Sequence, residues 1–122
     1  MSDELSFKTK FFKDLTISEL YKILSLRSEV FIIEQNCIYQ DIDGKDQYAL
    51  HVIGYKEDEI IAYARLFDAG DYFDQVSFGR VMISEKERKY GYGHRLIEKS
   101  IEEIEKHFGA CLLYTSPSPR DA

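Results

Sequence analysis

The segment Arg88-Lys89-Tyr90-Gly91-Tyr92-Gly93-His94 carries more chemistry than any other stretch of the chain. A β-prone run ends just before it, near Ser84, and an amphipathic run of Leu96, Ile97, Ile101, Ile104 and Phe108 starts just after it. That layout can hold a phosphate. The first turn of a helix leaves about four backbone N–H groups without partners. Those donors, and the positive end of the helix dipole, attract an anion. Glycines let the backbone come close, because no Cβ stands in the way. Two glycines near a helix start also occur as packing features, and the basic residues alone would fit a solvated helix start. The strand before and the helix after are what sharpen the pattern. It lacks the Lys-Ser/Thr ending of a P-loop and the third glycine of a dinucleotide fingerprint.

A second group of residues carries charge or a titratable ring: Arg27, Glu34, Asp43, Asp46, His51 and Arg65. Arg27 and Glu34 stand seven apart, on one helix face. They suit either contact with a substrate or an ion-pair frame with Asp46 and Arg65 that pins the loop between them. His51 beside a strand reads as a base or proton relay, or as a satisfied core histidine. Asp41, Asp43 and Asp46 lack the alternating ligands and closing Glu of an EF-hand, so no metal is expected. Cys37 has no basic neighbour to activate it and reads as a small packed hydrophobe.

The elements that must position these groups follow from pattern. Residues 6–12 alternate as an edge strand, with Phe7, Thr9 and Phe11 on one face. Thr16-Ile17-Ser18-Glu19 is a capping box. The helix behind it carries Leu20, Ile23, Leu24, Arg27, Val30, Phe31 and Glu34 at three- and four-residue steps. A polar loop over 36–47 turns at Asp43-Gly44. Residues 48–55 and 60–67 form a hairpin around Lys56-Glu57-Asp58-Glu59. A strand over 76–84 leads into the glycine turn, and a helix over about 92–107 stops at Gly109. The order β-α-β-β-β-α predicts an α+β fold, a mixed sheet flanked by helices on both faces.

Composition narrows the function classes. At 122 residues the chain is one domain. Its net charge of −6 argues against a broad nucleic-acid or anionic-membrane surface, and makes the basic turn a local feature. No apolar run is long enough to span a membrane. The acidic start Met1-Ser2-Asp3-Glu4 lacks the form of a signal peptide, so a cytoplasmic location is expected.

The Arg88-x-x-Gly91-x-Gly93 turn between a strand and a helix resembles the acyl-CoA motif of the GNAT acyltransferases. The stretch 26–39, Asp41-Ile42-Asp43-Gly44-Lys45-Asp46, His51, Ala62-Tyr63-Ala64-Arg65-Leu66 and Gly79-Arg80-Val81 resemble the ElaA-like branch of that superfamily. The likeness runs in unbroken order over about residues 7–110. It implies a GNAT-like sheet and transfer of an acetyl group from acetyl-CoA to an amine acceptor, a small molecule or a peptide. It implies that backbone groups of Val81, Met82 and Ile83 pair with the pantetheine arm. Arg88, Lys89, Tyr90, Gly91, Tyr92, Gly93 and His94 would hold the pyrophosphate. His51 and Glu34 become the catalytic candidates, and Arg27, Asp43, Asp46 and Arg65 the substrate-side ones. Arg27, Val30-Phe31, Asp43, Asp46 and Arg65 also resemble the set of the acyl-homoserine-lactone synthases, but those generally lack the glycine turn, which favours CoA. A CoA-binding module without catalysis is the reading from outside the enzymes.

The family's usual general acid, a tyrosine on a later helix, has no counterpart here. Residues 111–122 hold both prolines of the chain and resemble the translated end of a transposase-based sequencing-library adapter. The native domain is therefore expected to stop near Ala110, with its last strands and last helix missing. Such a chain is expected to be a weak catalyst of marginal stability. The segment 112–115 is β-prone and is expected to lie parallel beside the strand that ends at Ser84.

Overall fold

A computed structural model describes residues 5–34, 41–68 and 76–108. Strand β1 (Leu5–Phe11) leads to helix α1 (Ile17–Arg27), which continues as a π-helical segment over Ser28–Glu34. Strands β2 (Leu50–Lys56), β3 (Glu59–Phe67) and β4 (Ser77–Ile83) follow, then a short 3₁₀ helix over Glu85–Tyr90 and helix α2 (Tyr92–Phe108). The strands lie side by side in chain order as a four-stranded sheet. Every pairing among them is antiparallel. A mixed sheet was expected from the order of elements. Its parallel partner, residues 112–115, lies outside the described residues, and so does the tail after Phe108.

Alternation decides which helix each strand residue meets. Leu50, Val52, Ala62, Ala64, Leu66 and Phe78 face α2 and pack on Leu96 and Ile104. Ile53, Tyr63 and Met82 face the other way and pack on Ile23, Leu26 and Val30. The sheet is thus covered on both faces, α2 on one and α1 on the other. Gly54 is needed at the centre of β2, since a Cβ there would stand 2.7 Å from the Cβ of Ala62.

The start of α1 is fixed as the sequence suggests. Thr16 accepts from the Glu19 amide at 3.0 Å, and the Glu19 carboxylate accepts from the Thr16 amide at 2.9 Å. That carboxylate also takes Lys10 at 2.8 Å and the Tyr55 hydroxyl at 2.9 Å, so it ties α1 to β1 and β2. Burial alone would raise the Glu19 carboxyl, but the bonds from Lys10, Thr16 and Tyr55 outweigh it and lower it to about 2. Because the folded value lies below the unfolded one, this contribution is complete above the ordinary carboxylate range and fades as pH falls toward 2. Glu19→Gln should therefore lower stability by about 2 kcal/mol at pH 7. The gap to wild type should narrow on acidification, as read from urea melts at pH 7 and pH 3. A gap that stays constant with pH would contradict this.

The first helix changes register where the sequence pattern runs on. The α-helix stops at Arg27, and Ser28 donates to both Leu24 and Ser25 carbonyls. The wider π turn over Ser28–Glu34 follows. Such turns are uncommon and concentrate near functional sites.

Candidate functional site

β4 is an edge strand of the described sheet. Ser84 N–H donates to the Ile61 carbonyl at 2.7 Å, and Ala62 stands opposite Ile83. Bonded and non-bonded pairs alternate along an antiparallel ladder. Ile83 therefore turns its own N–H and C=O away from β3, to the outer edge. Arg88 Nε donates to that outward carbonyl at 2.9 Å, folding the 3₁₀ helix back along the edge.

The turn then opens onto α2. Gly91 ends the 3₁₀ helix with φ 76° and ψ 17°, a left-handed conformation that a side chain strains. At both Gly91 and Gly93 an added Cβ would meet no atom within 4 Å. Space is thus open beside the first turn of α2, where a helix leaves amides without helical partners, as an anion needs. Tyr92 is not part of that open surface; it is 7% exposed and packs among Leu5 and Ile61. Tyr90 lies outside, with Lys56 at 4.8 Å and Lys89 at 5.6 Å from its ring. His94 pairs with Glu98 at 3.1 Å, and Arg95 donates to the Leu5 carbonyl at 3.2 Å. The residues present therefore fit a diphosphate at the helix start, with the outer edge of β4 leading away from it.

The other face of the sheet carries the charged group. Arg27 is fully buried and donates to Asp41 Oδ2 at 3.0 Å, the Asp41 carbonyl at 2.8 Å and Asp46 Oδ1 at 2.8 Å. Arg65 reaches the same Asp46 oxygen at 2.9 Å and holds Asp43 through two bonds, at 3.0 and 2.9 Å. Arg80 completes the set on Asp41 at 3.1 Å and Asp43 at 3.3 Å. Burial would raise the Asp43 carboxyl, but the bonds from Arg65 and the Lys45 amide bring it down to about 2. Asp41, weighed in the sequence only as a metal ligand, and Arg80, quoted there only for its likeness, are partners the sequence reading assigned no role in this network. The available signal was a charged Arg80 on the same strand face as buried Met82, close to a loop with spare carboxylates. Arg80 has φ 51° and sits at a bulge, where the β3–β4 register shifts between Tyr63 and Arg65.

His51 is fully buried among these groups. Its Nε2 lies 2.9 Å from the Asp46 carbonyl and its Nδ1 2.6 Å from the Tyr63 hydroxyl. A carbonyl only accepts, so Nε2 carries the proton and Nδ1 takes one from Tyr63. Burial holds the ring below its ordinary pKa, so it is neutral near pH 7. The network therefore brings Arg27, Asp43, Asp46, His51 and Arg65 together, on the opposite face of the sheet from α2. Of the remaining candidates, Glu34 ends the π-helical segment, and its side chain lies outside what the structure describes.

A groove of about 720 Å³ lies between α1, the β2–β3 turn and Ser84–Lys86. Its lining includes Glu29, Glu57, Asp58, Glu59 and Glu85 against Lys22, Lys56 and Lys86. Lys56 is paired with Glu87 and Lys86 with Glu59. A phosphate would meet net negative charge there, so the groove does not compete with the turn as an anion site.

A model of the acetyltransferase (GNAT) family matches residues 17–121. The protein ElaA of Escherichia coli is 43% identical over 97 residues, covering 78% of this chain and 63% of that protein. The chain thus spans less than two thirds of that relative's length. Its backbone superposes on the crystal structure of Escherichia coli ElaA with a TM-score of 0.81, at 39% identity over 86% of this chain and 72% of that one. An acyl-CoA N-acyltransferase from Pseudomonas aeruginosa gives 0.80, at 39% identity over 84% and 72%.

Proposed function

The chain belongs to the GNAT acetyltransferase family, and from that premise we propose that it binds an acyl-CoA, in the first place acetyl-CoA, and passes the acyl group to an amine. The observation that carries this is the turn before α2. Open space at Gly91 and Gly93, at the start of α2, adjoins a strand edge whose Ile83 carbonyl points outward. In this reading Lys89 to His94 hold the diphosphate, and Val81 and Ile83 pair with the arm; Met82, expected to join them, stands in the bonded position opposite Tyr63 and turns its N–H and C=O to β3. A solved structure 39% identical to this chain is named as an acyl-CoA N-acyltransferase, which supports the choice of an acyl-CoA as donor.

The chemistry needs few groups. The amine must shed a proton before it attacks the thioester. The oxyanion that forms wants an N–H donor, for which the outer edge of β4 supplies the Ile83 amide. The departing thiolate is a weak base, with a pKa of about 8.5, so its protonation is undemanding. Arg27, Asp46 and Arg65 spend their charges on one another and serve by fixing the 41–48 segment. Asp43 is the carboxylate of that set with most solvent access, its side chain 21% exposed, and is the substrate-side contact. His51 acts through Tyr63, whose hydroxyl it orients, and Glu34 is the second candidate for the proton.

Incubation with acetyl-CoA and a panel of primary amines tests the transfer. The expected outcome is release of free thiol that depends on the amine, at a low rate. Binding of acetyl-CoA with no amine-dependent thiol release would overturn the transfer and leave a CoA-binding module.

A further inference from the structure

The outward carbonyl of Ile83 is the acceptor that β4 offers next to the helix start, and the Arg88 guanidinium holds it at 2.9 Å. We propose that Arg88 is a positioning residue that trades anchors, leaving the Ile83 carbonyl for the diphosphate when an acyl-CoA binds and so releasing that carbonyl to an amide N–H of the arm. The inference rests on the acyl-CoA reading above.

Strength favours the exchange. A guanidinium on phosphate oxygens pairs opposite charges through two bonds, whereas on the Ile83 carbonyl it makes one bond to a neutral acceptor. Reach favours it as well. Arg88 lies in the last turn of the 3₁₀ helix, with Gly91 left-handed just beyond it, and that turn feeds the first amides of α2. The Ile83–Arg88 bond is solvent-exposed, so water can serve the carbonyl during the change and no buried polar group is stranded.

The consequence is coupling between the two halves of one ligand. An arm that arrives without phosphates must itself displace Arg88 from the strand edge. An arm attached to a diphosphate has Arg88 drawn off for it. Arg88 would thus make β4 selective for the complete cofactor over free pantetheine-type thiols, without touching the reacting atoms.

The test uses Arg88→Met, which keeps the apolar stem and removes the donors and the charge. Wild type and variant are titrated with CoA by calorimetry, and with pantetheine, the same arm without phosphates, by amide chemical shifts. Exchange predicts effects of opposite sign. CoA affinity should fall about 10-fold, and pantetheine affinity should rise about 3-fold, as loss of one charge-assisted contact and of one competitor implies. Unchanged pantetheine binding would make Arg88 a phosphate ligand and nothing more. Loss of affinity for both would make it a structural strap. Either result overturns the exchange while leaving the acyl-CoA reading intact. Failure of wild type to bind CoA would remove that reading, and the exchange with it.

Discussion

Replacing Asp46 by alanine should cost the fold about 3 kcal/mol, the low end of the usual penalty for breaking a buried ion pair, because Arg27 keeps Asp41 and Arg65 keeps Asp43. One Asp46 oxygen accepts from Arg27 at 2.8 Å and from Arg65 at 2.9 Å. Arg27 has no exposed surface and Arg65 only 2%. Neither can swing to water when its partner goes. Domains of this size are stable by about 5–15 kcal/mol in all, so the loss is about a fifth of the total or more. In urea the midpoint should fall steeply, and Asp46→Asn, which keeps an acceptor but not the charge, should lie between alanine and wild type. A loss below about 1 kcal/mol would mean that the network behaves as a surface ion pair, and would remove the structural role given to it.

Gly93→Asp should separate stability from binding. Nothing lies within 4 Å of a Cβ at this position, so the side chain fits. An acidic residue in the first turn favours the helix by about 0.3–1 kcal/mol, and loss of a helical glycine adds to that. The thermal midpoint should therefore hold or rise. CoA affinity should move the other way. A carboxylate about 5 Å from a diphosphate costs some 1–3 kcal/mol at an effective dielectric between 20 and 80, which is about 5- to 150-fold. Calorimetric titration and a thermal melt on the same sample read both. A more stable variant that binds CoA as well as wild type does would place the anion elsewhere.

Much of the scaffold could be read in the sequence because its signals are local. The capping box at Thr16–Glu19 formed with both of its bonds. Phe7, Thr9 and Phe11 alternate as an edge strand should, within a residue of the observed span. β2 starts later than its composition suggests, because Asp46–Tyr48 is drawn into a 3₁₀ turn when Asp46 is claimed by two arginines. The charged network was harder to read. Its bonds join residues separated by 14 to 39 positions, as in Arg27 with Asp41 and Arg80 with Asp41. Periodicity says that Arg27 and Arg65 face inward, but not which carboxylates meet them. The π turn after Arg27 breaks the very period used to extend the helix. The bond between Arg88 and Ile83 spans only five residues, yet it follows from the β3–β4 register, which no local pattern supplies.

Backbone amide shifts on addition of CoA test the central claim most directly, since they report where the ligand sits. The account predicts saturable changes concentrated at Val81–Ile83 and Lys89–His94, with only small changes at the Arg27–Asp46–Arg65 network. Changes centred on the groove between α1 and the β2–β3 turn, or no saturable change at all, would contradict it.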